Sequence, residues 1–191
     1  MKKIFLVLIL FLSSISILNA DVNRIMSGNK EAKITIIAYE SLTCSHCADF
    51  HKDIYPQLKK DFIDTGLVKI EFRHFPLDVA AFNASKISQC KTGKGLEVLN
   101  SLYSNQQEWV KGSTVEDANK NLKTFIKNQG FELDFEKCLS NKEIEEYVLN
   151  DRIEGVKKFK VNATPTIIIN DEKFEKTLNY KNLKKFLKKL I

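Results

Sequence analysis

The run KITIIAYE, residues 33–40, is apolar on both of its alternating faces and rich in β-branched side chains. A strand of that kind has to be covered on both sides, so it belongs in the middle of a sheet with helices packed above and below. The residues that follow supply the first of those helices. Phe50, Ile54, Leu58 and Phe62 recur every four positions, one stripe of an amphipathic helix. Pro56 lies inside the stripe and is expected to kink it, because proline lacks the amide hydrogen and crowds the preceding turn. Gly66 ends the segment, and LVKIEFRHF, residues 67–75, reads as the next strand. Strand, helix, strand in this order is the parallel crossover unit of α/β proteins.

Beyond it the pattern is helical for a long way. Residues 78–91 and 96–107 are separated by the two glycines of TGKG. Ser113 and Glu116 have capping-box spacing ahead of a helix that Gly130 closes. ELDFEKCLSN and KEIEEYVLNDRIEGVKKF add further helical stretches, VNATPTIIIN returns to strand character, and EKFEKT is placed to pair with it. In the closing YKNLKKFLKKLI, Leu183, Phe186, Leu187, Leu190 and Ile191 are spaced by threes and fours. That face is expected to pack on the sheet rather than on a membrane surface. The pattern predicts an α/β sheet split by a helical insertion at about 78–157.

The chain opens with two lysines, an apolar run from Ile4 to Leu12, and small residues up to Ala20. This layout reads as a cleavable signal peptide over residues 1–20, leaving 21–191 as one exported domain. Ser13, Ser14 and Ser16 interrupt the run too early for an anchor, which needs about 20 apolar residues. Disulfides persist in the compartments such a signal leads to. Lys and Arg total 30 against 24 Asp and Glu, for a formal net charge of +6. Outside the last helix the basic residues are scattered among acidic ones, so no nucleic-acid partner is expected.

TCSHCADFH, residues 43–51, sits where the first strand hands over to the first helix. Cys44 therefore meets unsatisfied backbone N–H groups and the positive end of the helix dipole, both of which favour thiolate over thiol. His46, if cationic or donating a hydrogen bond, favours it further. Cys47 comes one turn into the helix, facing Cys44 and more deeply placed. This is the arrangement of a redox disulfide with Cys44 as the attacked sulfur. A structural zinc site wants four ligands. Cys90 and Cys138 are isolated from one another, and His51 and His74 form no ligand spacing with the pair, so no metal is expected. His51 reads as a surface or half-buried residue, His74 as a strand-end residue, and Trp109 as part of the helical core.

CSHC after IIAYESLT, together with HFPLD, LYSNQQEW and above all VNATPTIIIN, resembles the exported thiol:disulfide oxidoreductases of the DsbA type. The resemblance implies a thioredoxin-like fold with an inserted helical subdomain and a periplasmic location. It also implies a cis peptide bond between Thr164 and Pro165 beside the CxxC, where Thr164 would offer main-chain groups to an extended substrate strand. Members of the family commonly carry a buried acidic residue six positions before the first active cysteine, associated with proton transfer. That position is Ala38 here. Glu40 lies two residues later on the same strand face, where it either replaces the missing carboxylate or is a solvated strand end.

Cys90 and Cys138 both fall in the insertion. An even cysteine count in an exported protein suggests that they pair, although a lone buried thiol also behaves as a small apolar residue. The function expected is donation of the Cys44–Cys47 disulfide to newly exported, unfolded proteins through a mixed disulfide at Cys44. The resemblance adds a quinone-linked membrane oxidase as the partner that reoxidises the pair. No metal, nucleotide or flavin cofactor is called for, and a monomer is expected. The nearer rival is a disulfide isomerase or reductase on the same fold; the more distant one is a non-enzymatic soft-metal or peptide binder.

Overall fold

The computed structural model describes residues 22–90 and 93–191; the segment read as a signal peptide lies outside them. Five strands form one sheet: β1 (Ile25–Ser27), β2 (Ile34–Glu40), β3 (Val68–His74), β4 (Thr166–Ile169) and β5 (Glu172–Lys173), in the order β1-β3-β2-β4-β5. β2 and β3 are parallel, as the crossover unit requires, and the other neighbouring pairs are antiparallel. β2 is the middle strand, and both of its faces are buried. Ile34, Ile36 and Ala38 belong to the larger core, whereas Ile37 and Tyr39 pack with Phe75, Phe159, Val161 and Ile168 on the opposite side. β1 carries no alternating run long enough to be read from sequence. It is a three-residue edge strand, and the first strand among the described residues is therefore β1, not the run at 33–40.

The helix after β2 runs through α1 (Ser45–Asp49), a π-helical turn (Phe50–Ile54), α2 (Tyr55–Leu58) and a second π-helical turn (Lys59–Ile63). Pro56 falls in the first turn of α2. The missing amide hydrogen is thus absorbed at a π-helical turn, a widening of the helix that often accompanies function. Phe50, Leu58 and Phe62 of the predicted stripe are buried in the larger core.

Between β3 and β4 come α3 (Val79–Cys90), α4 (Gly95–Ser104), α5 (Gln106–Trp109), α6 (Val115–Asn128), α7 (Phe135–Ser140) and α8 (Lys142–Phe159). The cap of α6 is Thr114, whose side chain accepts from the Asp117 N–H. This is one residue later than the Ser113–Glu116 spacing predicts. Trp109 is fully buried and donates from Nε1 to the Leu102 carbonyl at 2.9 Å. α8 covers the second face of the sheet, and Gly155 makes that close approach possible. A Cβ there would stand 2.9 Å from Cε1 of Tyr39. His74 is buried, within 3.0 Å of the Gln89 amide nitrogen, and takes no part in a binding surface.

The terminal helix α9 (Tyr180–Leu187) buries Leu183 and Leu187. Leu190 and Ile191, read as part of the same face, lie past its end and are exposed. Among the described residues no helix is long and apolar enough to cross a membrane.

Candidate active site

Cys44 is the N-cap of α1 and adopts extended backbone angles, so the chain turns there from the end of β2 into the helix. The amides of Cys47 and Ala48 bond to its carbonyl, while its own side chain stands at the mouth of the helix. The approach is pinned from the insertion. Gln106, at the start of α5, donates from Nε2 to the carbonyls of Leu42 (2.8 Å) and Cys44 (3.1 Å), and Thr43 donates to Asp78 at 2.6 Å. Gln106 lies in the LYSNQQEW motif, but nothing in the sequence marks it as the residue that clamps this loop.

Cys44 and Cys47 are both free thiols, the first half-buried and the second fully buried. Their environments separate them sharply. The Cys44 thiol is lowered to about 5, against an ordinary thiol near 8.5. Its hydrogen bond from Cys47 contributes most, partial burial opposes, and the backbone N–H groups of Cys47 and His46 add to the lowering. The Cys47 thiol is pushed far up, first by burial, then by its bond to Cys44 and the Glu40 charge.

The peptide bond between Thr164 and Pro165 is cis, and the Cys44 Sγ, as a thiol, donates to the Thr164 carbonyl at 3.4 Å. The cis-proline loop and the first helix line an open groove with His46, Asp49, Phe50, Leu178 and Tyr180. The His46 side chain is 81% exposed and turned toward Asp49, with Nδ1 3.7 Å from the carboxylate, while its backbone N–H favours the Cys44 thiolate.

Glu40 is buried, not a solvated strand end, and so is His51, which bonds to it at 2.8 Å. The sequence reading of His51 as a surface or half-buried residue therefore fails. The helical spacing from Cys47 to His51, one turn along the same inward face, was the available signal. The structure bonds Cys90 to Cys138, with Cα atoms 5.5 Å apart, joining α3 to α7 within the insertion and away from Cys44. Among the described residues no group of three or more His, Cys, Asp or Glu side chains is placed to hold a metal ion.

A family profile described as Thioredoxin matches residues 20–189. The chain belongs to the thioredoxin family. Within it the fold is of the DsbA type, with the helical insertion between β3 and β4. The crystal structure of Wolbachia pipientis alpha-DsbA1 superposes with a TM-score of 0.78 at 28% identity, covering 88% of this chain and 90% of that one. Disulfide bond formation protein D of Bacillus subtilis is 27% identical over 172 residues, 85% of this chain and 74% of that protein. A Rickettsia bellii relative, named provisionally as a protein-disulfide oxidoreductase, is 30% identical over 154 residues, 78% of this chain and 58% of that protein. The chain thus spans little more than half the length of the Rickettsia relatives it matches.

Proposed function

We propose that this DsbA-type protein of the thioredoxin family is a thiol:disulfide oxidoreductase that donates its Cys44–Cys47 disulfide to unfolded, newly exported proteins. The observation that carries the reading is the asymmetry of the two sulfurs at one helix start: Cys44 half-exposed beside the cis-proline loop with its anion favoured, Cys47 buried with its anion disfavoured. A substrate thiolate attacks Cys44, the only sulfur of the pair within reach, and Cys47 leaves. A second substrate thiolate then attacks the substrate sulfur of the mixed disulfide and expels Cys44, a good leaving group because its thiol is so acidic.

The same asymmetry sets the direction. A thiol whose folded pKa is depressed stabilises the reduced protein at pH values above the ordinary thiol pKa. That stabilisation is lost as pH falls through about 5. Cys47 stays protonated throughout this window and adds no slope. Favouring the dithiol makes the disulfide easy to give away.

Thr164 and Pro165 line the groove beside Cys44, where the Thr164 main chain is available to an extended substrate segment, and His46 and Thr164 sit on its rim. The leader-like residues 1–20 and the Cys90–Cys138 bridge support an exported, periplasmic location. Reoxidation by a quinone-linked membrane oxidase, by resemblance, and a monomeric state complete the reading. Glutathione equilibration tests it. The Cys44–Cys47 pair is expected to be strongly oxidising, with a potential above the roughly −200 mV of glutathione in oxidising compartments. A potential near the about −270 mV of a reducing thioredoxin contradicts donation and favours the reductase alternative.

A further inference from the structure

The open groove beside Cys44 differs in charge from the chain around it. Its wall along the first helix carries Asp49, the last residue of α1, and Asp53, one turn further on in the π-helical turn. Its floor is apolar, with Phe50, Ile54, Pro165 and Leu178. Among the described residues no lysine or arginine lines it, although the chain carries 30 of them against 24 acidic residues.

Elsewhere on the surface carboxylates are matched by a lysine. Asp61 has Lys184 at 2.6 Å, Asp171 has Lys158 at 2.8 Å, and Glu136 has Lys123 at 2.9 Å. Among the described residues Asp49 has only His46, 3.7 Å away, and Asp53 forms no ion pair. Lys52, between them in sequence, is exposed and lies outside the groove lining. Tyr180, across the groove, gives its hydroxyl to Asp61 instead.

What joins these two carboxylates to a site is the reactive sulfur at the head of the groove. A substrate segment whose cysteine reaches Cys44 in extended form, against the Thr164 main chain, continues along this wall. In such a segment side chains two positions apart point the same way and are about 7 Å apart. Asp49 lies five residues beyond Cys44, at a helical rise of about 1.5 Å each, and so at about the same distance. The side chain two positions from the substrate cysteine therefore enters the groove at the level of Asp49. Lysine and arginine suit that place at both ends, since their methylene stems cover apolar surface while the charged head stays free to meet a carboxylate. The stem has Phe50 and Ile54 to lie on, and the head has Asp49 and Asp53. An acidic side chain in the same place meets like charge.

We propose that the groove selects substrate segments by charge: those with a lysine or arginine two positions from the reacting cysteine are oxidised in preference to those with an aspartate or glutamate there, and Asp49 and Asp53 set the preference. This rests on the donation reading and adds to it which cysteines are served first. The two carboxylates take no part in the bond changes at Cys44 and Cys47. They act on the encounter and on the placement of the segment.

The test uses three peptides that differ only at the positions two residues before and two residues after a single cysteine, with lysine, glutamine or glutamate at both. Each is mixed as the thiol with the oxidised full chain, two peptide thiols and the Cys44–Cys47 disulfide giving the peptide disulfide and the dithiol. Each initial rate is divided by the fraction of peptide present as thiolate, since a neighbouring charge alters that fraction. The lysine peptide is expected to react about fivefold faster than the glutamate peptide, the scale set by exposed charge pairs, with glutamine between them. The spread should shrink in molar salt. The formal net charge of the whole chain, +6, pulls the other way and favours the glutamate peptide, so a lysine preference has to arise locally. In Asp49→Asn/Asp53→Asn the three corrected rates should converge. Both carboxylates are exposed, and should that variant still fail to fold, by circular dichroism, the order of the three peptides on the wild type decides. Equal corrected rates on the wild type, a glutamate preference, or a lysine preference that the folded double variant keeps overturns the inference and leaves donation intact. A wild type that oxidises none of the peptides overturns the donation reading itself, and the inference with it.

Discussion

Cys44→Ser loses all disulfide transfer, whereas Cys47→Ser stops at a trapped intermediate. The two substitutions remove sulfurs of similar size three positions apart, yet the structure assigns them opposite consequences. Cys44 caps the helix at the rim of the groove, and Cys47 is fully buried behind it. With Cys44 gone, no sulfur of the pair can be reached by an incoming thiolate, and Cys47 has its anion suppressed by burial and by Glu40. With Cys47 gone, Cys44 remains reactive. It takes up oxidised glutathione or a substrate disulfide and holds it, because no neighbouring thiol is left to release it. Non-reducing electrophoresis of each variant with an unfolded protein whose thiols are held in disulfides reads both outcomes, since the Cys44 thiolate then forms the mixed disulfide by exchange. A long-lived adduct on Cys44→Ser, with none on Cys47→Ser, would reverse the roles given to the two cysteines.

The second large effect is on stability rather than chemistry. Cys90 and Cys138 are 48 positions apart and tie α3 to α7 in a subdomain built of separate short helices. Closing a loop of this length restricts the unfolded chain by about 4 kcal/mol in the chain-entropy picture, and measured losses on removing such bridges are commonly 2 to 5 kcal/mol, roughly. The double substitution Cys90→Ala/Cys138→Ala, which leaves no stray thiol, is therefore expected to lower the melting temperature by roughly 10 °C for a domain of this size. The comparison has to be made with Cys44 and Cys47 in the same redox state, since that pair shifts stability by itself. An unchanged melting temperature would mean that the helices of the insertion hold together without the bridge.

Most of the architecture was legible because it is written in local periodicity. The two-sided apolar run at β2, the four-residue stripe after it and the return to strand at 166–169 are each long enough to carry their own signal. β1 was not legible, since three residues on an edge depend on β3 for their conformation and show no alternation of their own. The cap of α6 moved by one residue because Ser113 and Thr114 offer similar hydroxyls and the backbone chose the second.

At the site, the CxxC and the cis-proline loop were visible as motifs. For His46, sequence spacing fixes where the backbone amide lies at the helix start but not where the exposed imidazole turns. His51 and Gln106 were missed for a related reason. Each acquires its role from a partner distant in sequence: Glu40 on β2 for His51, and the Leu42 and Cys44 carbonyls for Gln106. That Glu40 shares a strand face with position 38 was readable in the sequence, but only the fold shows that it is covered.

The most direct test is the rate at which reduced protein is alkylated at Cys44 as a function of pH. Cys47, being buried, does not contribute, and the modified residue is read by peptide mass. The rate should follow a single titration with a midpoint near 5, so that Cys44 reacts almost fully as thiolate at neutral pH. A midpoint near the about 8.5 of a free cysteine would contradict the account, because a sulfur with no preference for the anion gives the protein no reason to surrender its disulfide.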